Sequence, residues 1–372
     1  MSIQQRFPSV SYLREKAQKR LPKFAWAYLD GATGREQAKQ RNGSELSEMV
    51  IVPRVLKGAL EPDPSITFLG EHWSLPFGMS PVGLSGLIWP NAERILAVEA
   101  QRHKMVYCLS TYASQPPEVI GPILAGRGWF QFNTPESEEI CRDIVQRVTD
   151  SGFPTLVLSL DTPAPSRRER QIRSGFPSDG KLTLQCALQA SMRPAWAIGM
   201  LRQGKPQLRL FDRYKASGDA GPLPMRNPDR GFLDTIRRLW PGKLLVKGIM
   251  HAEDARILWD CGVDALWISN HGGRQFDGAP SSVSALRSIR AALGPTVPLV
   301  FDGGVSSGLD VLKAYGAGAD LVMMGRTWHY GLAALGARGA AHVRELLAAD
   351  ILSNMAQMGV RNIAELKALA TV

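Results

Sequence analysis

The stretch LLVKGIMHAEDARILWDCGVDALWISNHGGRQ, residues 244–275, contains the alternation that decides the fold. Two short apolar runs, 244–249 and 265–269, flank an amphipathic run of helical length. Apolar strands that alternate with helices are typical of parallel sheets, whose strands are buried on both faces. The second run leads into His271-Gly272-Gly273-Arg274, so a titratable imidazole and a fixed cation follow a buried strand. The stretch therefore predicts a parallel sheet with a candidate reaction centre at one strand end.

The same alternation continues through most of the chain from about residue 76. Apolar runs predict eight strands, at Pro76–Val82, Val106–Thr111, Trp129–Asn133, Thr155–Asp161, Leu244–Ile249, Ala265–Ser269, Pro298–Asp302 and Leu321–Gly325. Helical patterns between them include Asn91–His103, Ser137–Ser151, Ala252–Cys261 and Ser307–Gly316. Eight units over roughly 250 residues favour an α/β fold of the TIM (β/α)8 barrel type. An open doubly wound sheet has the same periodicity and remains the alternative.

Two segments do not follow the alternation. Residues 1–75 are interpreted as an N-terminal extension with helices near Val10–Lys19 and Lys23–Leu29, in a single domain that covers residues 1–372. Residues from about 174 to 230 are rich in proline, glycine and basic residues, which predicts a lid or peripheral loop insertion after the fourth strand. Part of this segment, Leu182–Leu201, carries Trp196 and Met200 beside basic residues. An active-site lid is the favoured interpretation, and contact with a membrane surface is the alternative.

Composition and charge argue against several classes of protein. The chain is 44% hydrophobic over 372 residues, as in globular proteins. No apolar run reaches the roughly 18 residues that a membrane span needs. Four cysteines without CxxC spacing predict free thiols in a reducing cytoplasm. The net charge of +10 suits an anionic substrate or cofactor, and no nucleic-acid motif accompanies it. We expect a cytoplasmic protein that binds neither nucleic acid nor a metal ion.

Polar side chains follow the predicted strand ends, where TIM barrels carry their catalytic groups. In chain order they are Ser110, Thr111 and Tyr112, then Gln131 and Asn133, then Ser159, Asp161, Arg167 and Arg168, then Lys247, and finally His271 with Arg274.

The seventh and eighth strand ends predict a phosphate site. Asp302-Gly303-Gly304 exposes backbone N–H groups, and a helix that starts near Ser307 adds its dipole. Arg326, which follows Gly325, offers a forked cation. An ordinary tight turn is the alternative for the glycine pair.

The remaining candidates predict chemistry on a small carboxylate. Arg168 and Arg274 can clamp a carboxylate with paired hydrogen bonds, and Asp161 can orient and charge-stabilise His271. Lys247 stands inside an apolar strand and needs an anionic partner. Either a cofactor that becomes anionic on reduction or a carboxylate in the barrel meets that need. Small residues after the first strand, Pro81-Val82-Gly83, leave the backbone open to a planar ring.

These motifs resemble those of the FMN-dependent α-hydroxy acid oxidases and dehydrogenases, the family of glycolate oxidase and lactate oxidase. The resemblance covers nearly the whole chain, from residues 21–23 to a helix near Ala349–Gly359, and its most specific motifs are 245–248, 269–275 and 302–305. Residues 86–90 and 239–248 favour the (S)-mandelate dehydrogenase branch. The resemblance implies bound FMN and oxidation of an (S)-2-hydroxy acid, aryl or otherwise bulky, to the 2-keto acid. It also implies a homo-oligomer, frequently a tetramer.

The resemblance further implies a role for each candidate. His271 is the active-site base with Asp161 as its support, while Arg168, Arg274 and Tyr28 hold the carboxylate. Lys247 contacts the flavin near N1 and O2. Asn133, Gly83 and Tyr112 border the substrate. The flavin and its phosphate are bordered by Pro81, Val82, Gly83, Ser110, Gln131, Ser159, Ser269, Asp302, Gly303, Gly304, Gly325 and Arg326. Hydride transfer and initial α-proton abstraction both remain open.

Two positions depart from the pattern of this family. Asn133 stands where the family has a tyrosine, which leaves space for a bulkier or differently polar substrate. It keeps open a specialised or amino-type substrate, or oxidative decarboxylation, as the alternative function. Ser306 stands where the family has an arginine, so one charge-assisted contact is lost and weaker FMN binding is predicted. Gly83 predicts room for an aromatic group, with backbone packing as the alternative.

The re-oxidant stays open among oxygen, a quinone and a carrier protein. A barrel that binds flavin or another anion without turnover, or a scaffold docked on a membrane, is the alternative from a different class. The intact set of His271, Arg274, Arg168, Lys247 and Asp161 argues against both. Peripheral attachment to the inner face of the membrane is the alternative to a purely cytoplasmic location.

Overall fold

A ring of eight parallel strands forms the centre of the molecule. The computed structural model describes residues 2–177, 183–204, 206–214, 225 and 227–369. We number the barrel strands β1–β8: Phe77–Met79, Cys108–Ser110, Trp129–Phe132, Thr155–Ser159, Lys243–Ile249, Ala265–Ile268, Leu299–Asp302 and Leu321–Met324. Successive strands from β2 to β8 are neighbours, and β8 pairs with β1. A parallel bridge between Met79 and Tyr107 joins β1 to the start of β2. The predicted TIM barrel is thus confirmed, and the open-sheet alternative is wrong.

Helices surround the barrel at the predicted places. The four predicted helices correspond to Ala92–Arg102, Glu138–Asp150, Ala252–Asp260 and Gly308–Gly316. Further helices beside the strands are Ser85–Ile88, Pro117–Leu124, Arg230–Leu239, Ser282–Leu293 and Arg326–Leu335. The C-terminal helix is longer than the motif near its end indicates, at Arg338–Met358, and Ile363–Lys367 follows it. No helix among the described residues is long and apolar enough to cross a membrane.

The barrel interior is filled by side chains at the end where the strands begin. Large aromatic residues dominate this cluster, among them Trp129 and Trp267, whose rings meet edge to face at 6.2 Å. A hairpin formed by Ile66–Phe68 and Glu71–Trp73 adds Phe68 and Trp73 to the same cluster. Because packing closes this end, as in other TIM barrels, only the opposite end of the barrel is left for a ligand.

The N-terminal extension is held against the open end of the barrel by buried charge. Its helices are Ile3–Arg6, Val10–Arg20, Lys23–Asp30 and Gln37–Glu48. The fully buried carboxylate of Asp30 accepts from Arg14 at 2.8 Å, from Arg170 at 2.9 Å and from Tyr330 at 2.7 Å. Burial alone would raise the pKa of Asp30, but its basic neighbours and Tyr330 outweigh burial and hold this pKa far below the usual value. Removing one member would leave unpaired buried charge, so the network fixes the extension in place.

The segment between β4 and β5 contains helices where the sequence predicts a loop. They are Glu169–Arg173, Leu184–Ser191 and Pro194–Gln203, followed by a 3-10 turn at Arg209–Tyr214. Residues 178–182, 205, 215–224 and 226 of the predicted insertion, including Leu182 of the predicted membrane-facing stretch, lie outside the described residues. Trp196 is buried and donates to the carbonyl of Leu87 at 2.9 Å. Trp196 therefore packs inward, away from any membrane surface.

Candidate active site

A cavity of about 1560 Å³ opens where the barrel strands end. It exceeds the range of about 300–1,000 Å³ that is usual for one small ligand, so it has room for a cofactor and a substrate together. Every residue to which the sequence analysis gives a catalytic, substrate-binding or cofactor-binding role lines it except Asp161 and Ser269, which contact the lining residues His271 and Lys247. The sequence-predicted residues are thus brought together at one place.

A histidine–aspartate pair stands at the centre of this cavity. Nδ1 of His271 lies 2.9 Å from Oδ2 of Asp161. Burial lowers the pKa of His271 below its usual 6.5, Asp161 opposes this shift, and Lys247 and Arg168 add to it. Burial alone would raise the pKa of Asp161, but His271 and Lys247 outweigh it and hold that pKa well below its usual value. At neutral pH a neutral imidazole therefore donates its Nδ1 proton to a carboxylate, which leaves Nε2 with a free lone pair.

The backbone that carries His271 is held in an unusual conformation. His271, Gly272 and Gly273 form a short 3-10 turn with φ angles of 57°, 62° and 75°. A histidine in the left-handed region is uncommon, and strain of this kind collects at functional sites. The side chain of Asn270 accepts from the N–H of Gly273 at 3.1 Å, and the N–H of Thr33 donates to the carbonyl of Gly273 at 3.0 Å. Both contacts fix the direction of the imidazole.

Lys247 is buried between two carboxylates. Its Nζ lies 3.6 Å from Oδ2 of Asp161, 3.6 Å from Oδ2 of Asp302 and 2.7 Å from Oγ of Ser269. Burial opposes the charged form, but the two aspartates outweigh it and raise the pKa of Lys247. The predicted need for an anionic partner is met inside the barrel, and the same ammonium group also faces the cavity.

Three arginines face the cavity without a carboxylate partner. Arg168, Arg274 and Arg326 form no ion pair with any residue in the described part of the chain. Burial and the neighbouring Arg168 lower the pKa of Arg274 to about 9. An uncompensated buried cation is costly, so a bound anion would stabilise this wall of the site. The arrangement suits a carboxylate at Arg168 and Arg274.

Arg326 makes contacts that differ from a simple phosphate clamp. Its guanidinium donates to the carbonyls of Leu29 at 3.2 Å, Gly272 at 2.9 Å and Gly31 at 2.8 Å. Arg274 donates to the carbonyls of Tyr28 at 2.7 Å and Gly31 at 3.0 Å. These carbonyls of the N-terminal extension were missed by the sequence interpretation, because no local pattern marks a backbone acceptor for a distant arginine.

Gln275 is a second residue that the sequence interpretation left without a role. Its side-chain amide donates to the carbonyl of Asp161 at 3.0 Å, and Arg168 donates to its Oε1 at 3.5 Å. It thus links the backbone of Asp161 to one arginine of the anion site. Its place in the quoted motif, one residue after Arg274, was the available signal.

The expected phosphate end has a backbone that only glycine can form. Gly304 has a φ of 83°, and a Cβ atom there would lie 2.3 Å from the carbonyl oxygen of Asn42. The side chain of Ser307 caps the helix Gly308–Gly316 by accepting from the N–H of Asp310 at 3.0 Å. With Lys247 at the ring end of the same cavity, these residues fit a flavin with a phosphate tail. Ser306 adds little, because its hydroxyl donates to Asp310 at 3.1 Å.

The surroundings of Gly83 are more crowded than the sequence predicts. A Cβ atom at this position would lie 3.0 Å from the Cβ of Tyr112 and 3.3 Å from the hydroxyl oxygen of Tyr28. The Tyr28 hydroxyl donates to the carbonyl of Gly83 at 2.7 Å. Two phenol rings therefore border the position that was expected to leave room for an aromatic group.

Comparison with known proteins agrees with this geometry. The sequence profile of the FMN-dependent dehydrogenase family matches residues 17–371. The L-lactate dehydrogenase of Caulobacter vibrioides is 35% identical over 368 residues, which cover 96% of each chain. The L-lactate dehydrogenase of Alcaligenes faecalis is 36% identical over 364 residues, which cover 95% of each chain.

Solved structures extend the comparison. The crystal structure of the monotopic membrane protein (S)-mandelate dehydrogenase has a TM-score of 0.89 and 32% identity, covering 96% of this chain and 97% of that chain. Mandelate oxidase with benzoyl-formic acid has a TM-score of 0.85 and 29% identity, covering 98% of both chains. The resemblance that the sequence motifs indicated is confirmed.

Replacing Asp161 by Asn is expected to change the pH profile as well as the rate. The wild-type kcat/KM should be level near pH 7 and fall in acid as His271 is protonated, with its pKa below 6.5. Asp161 raises that pKa, so Asp161→Asn should move the acid limb to lower pH and cut the plateau about 100-fold or more. The rate of anaerobic flavin reduction, followed from about pH 4 to about pH 8 in steps of roughly one pH unit, measures both the acid limb and the plateau. An acid limb that stays in place would contradict the assignment.

Replacing Ser306 by Arg is expected to tighten FMN binding by about 2–5-fold, because an exposed ion pair to the phosphate contributes about 0.2–1 kcal/mol. Fluorescence titration of the apoprotein with FMN gives the dissociation constant. Ser65→Arg is the matched control, since the Ser65 hydroxyl also donates to a nearby aspartate, Asp63, and neither residue lines the cavity. Equal FMN affinity for both variants would place the phosphate elsewhere.

Proposed function

Since the chain belongs to the FMN-dependent dehydrogenase family, we propose that it oxidises an (S)-2-hydroxy acid with an aryl or similarly bulky side chain to the 2-keto acid. The observation that carries this proposal is the convergence of a neutral, aspartate-supported His271 with the unpaired guanidinium groups of Arg168 and Arg274 in one cavity. The comparisons support FMN-dependent oxidation of a 2-hydroxy acid, and the side chain of that acid is our own proposal.

Each of these residues has a separate role in the proposed reaction. Arg168 and Arg274 bind the substrate carboxylate, and Nε2 of His271 takes one proton from the substrate. Bound FMN supplies the two-electron acceptor that the oxidation needs. Lys247 holds a positive charge at the buried end of the flavin site, where it favours an anionic reduced cofactor.

The size of the substrate side chain is argued from the far wall of the cavity. Beyond the polar groups, the cavity continues between the barrel and the helices Leu184–Ser191 and Pro194–Gln203. The lining there is apolar and includes Phe24, Leu87, Trp196, Met200 and Leu208. A lactate methyl group would leave this surface uncovered, whereas an aryl group would bury it and gain about 25 cal/mol per Å² of apolar surface.

Replacing His271 by Ala is expected to slow flavin reduction by about 100-fold or more, since the reaction loses its base. Anaerobic bleaching of the flavin absorbance by a panel of 2-hydroxy acids measures this rate, with His72→Ala on the exposed hairpin as control. In the wild type, (S)-mandelate should give a higher kcat/KM than L-lactate and (R)-mandelate. Rapid bleaching of His271→Ala would overturn the role of this residue, and a preference for L-lactate would overturn the bulky substrate.

A membrane surface is the proposed location of re-oxidation, on the inner face of the cytoplasmic membrane. Leu184, Leu188 and Leu201 are 87%, 63% and 83% exposed on the two helices that cover the cavity. Exposed apolar clusters of this kind mark interaction sites. Leu201 also lines the cavity, so an apolar acceptor such as a quinone has a path from this face to the site. The similar (S)-mandelate dehydrogenase is described as monotopic.

Replacing Leu188 and Leu201 by Glu is expected to abolish binding to vesicles that contain anionic phospholipid, since apolar burial and the net charge of +10 both favour that surface. Flotation of the holoenzyme with vesicles measures binding. Val55→Glu is the matched control, because Val55 is 81% exposed on the N-terminal extension. A wild-type protein that does not float would overturn the membrane proposal and leave the proposed reaction intact.

A further inference from the structure

A chain of hydrogen bonds runs along the ends of β2 and β3. The N–H of Tyr112 donates to Oγ of Ser110 at 3.1 Å, and Ser110 donates to Oε1 of Gln131 at 3.0 Å. Nε2 of Gln131 donates to Oδ1 of Asn133 at 2.7 Å. The Asn133 side chain also lies near the Tyr112 phenol, whose pKa it lowers. The chain therefore begins at the backbone of Tyr112 and ends at the amide beside its phenol.

The directions of these hydrogen bonds leave the O–H proton of Tyr112 without an acceptor among the described residues. Because Oδ1 of Asn133 accepts from Gln131, the amide group that Asn133 presents to Tyr112 is its NH2. Burial raises the pKa of Tyr112, the nearby Asn133 side chain lowers it, and the net shift is upward. The phenol thus keeps its proton through the neutral range.

Tyr112 is placed where a free donor can reach a substrate. It lines the cavity together with His271, Arg168 and Arg274. Its Cβ and the Tyr28 hydroxyl oxygen both lie close to the position that a Cβ atom on Gly83 would take, at 3.0 Å and 3.3 Å. The Tyr28 proton is already given to the carbonyl of Gly83, so Tyr28 cannot serve two acceptors with it. The ring of Tyr112 packs against Phe211 at 5.8 Å, which limits its movement.

The proposed reaction needs a donor of this kind. Whichever hydrogen leaves first, the oxygen on C2 ends as a carbonyl oxygen, and negative charge develops on the reacting atoms before the electrons have left. A preorganised donor aimed at that oxygen favours the transition state over the bound alcohol. Arg168 and Arg274 are engaged by the carboxylate in the proposed function, so neither meets this need.

We propose that the Tyr112 phenol is a catalytic hydrogen-bond donor to the C2 oxygen of the substrate, and that Asn133 is a positioning residue that acts through it. The proposal rests on the proposed function and adds a residue to it. Asn133 also gains a role, because its amide turns the neighbouring phenol toward the cavity instead of contacting the substrate itself.

Tyr112→Phe is the decisive variant, because it removes the O–H and keeps the ring that packs on Phe211. The limiting rate of anaerobic flavin reduction by the best 2-hydroxy acid should fall about 10–100-fold, the range for loss of one donor at a developing charge. The substrate KM should change less than about 3-fold, since the interaction strengthens only in the transition state. FMN content and thermal stability should match the wild type. Tyr12→Phe on the exposed face of the helix Val10–Arg20 is the control and should be silent.

Asn133 is tested through its coupling to Tyr112. Asn133→Ala should lower the same rate less than Tyr112→Phe does, and the double variant should be no slower than Tyr112→Phe alone. Independent roles would instead multiply the two effects and overturn the positioning claim. A silent Tyr112→Phe variant in an enzyme that 2-hydroxy acids do bleach would overturn this inference alone. Failure of every 2-hydroxy acid to bleach the wild-type flavin would overturn the proposed function and this inference together.

Discussion

The site depends on one ammonium group that is buried between two carboxylates. Lys247 at the end of β5 lies 3.6 Å from both Asp161 and Asp302, so the ends of three strands share a single ion cluster. Charges removed from water are tolerated only when their partners are held in good geometry. The closed barrel supplies that rigidity, because its strand register fixes the three side chains before any ligand binds. Asp161 then serves a second purpose: the oxygen that faces Lys247 also accepts from His271, which sets the tautomer and leaves Nε2 as a base.

The electrostatics of the cavity follow from that cluster. Lys247 is compensated inside the barrel, whereas Arg168, Arg274 and Arg326 have no carboxylate partner in the described part of the chain. Their partners are neutral: backbone carbonyls for Arg274 and Arg326, the ring of Tyr28 for Arg274, and the side chains of Ser166 and Gln275 for Arg168. A carboxylate or phosphate that enters the cavity would offset the free-energy cost of these unpaired buried cations. The unpaired arginines therefore favour the binding of anionic ligands. Burial lowers the pKa of His271, and the charges of Lys247 and Arg168 lower it further.

The sequence predicts this arrangement as far as it is local. Each barrel strand is an apolar run followed by polar residues, and parallel strands bring their ends to one edge, so the pattern alone places Ser110, Asp161, Lys247 and His271 together. It cannot predict the carbonyls of Tyr28 and Gly31, because an arginine–carbonyl contact leaves no trace in spacing. For the stretch that carries Trp196 it favours a lid and leaves a membrane contact as the alternative. In the structure this indole packs edge to face on Phe24, a distant partner that the local pattern does not indicate.

A departure from a family pattern is therefore informative only together with the residues that surround it. Taken alone, Asn133 indicates a lost phenol and an altered substrate. In the structure it ends a chain of hydrogen bonds whose other members, Ser110 and Gln131, are buried and satisfied, and this chain starts at the backbone N–H of Tyr112 on the neighbouring strand end. The reaction needs a hydrogen-bond donor at a particular position, and residues that follow either of two adjacent strands can place a donor there. In the proposed arrangement the donor is Tyr112, after β2, where the family has a tyrosine after β3. The reaction stays the same, but the aromatic ring now lies beside Gly83, so the substrate pocket has a different shape.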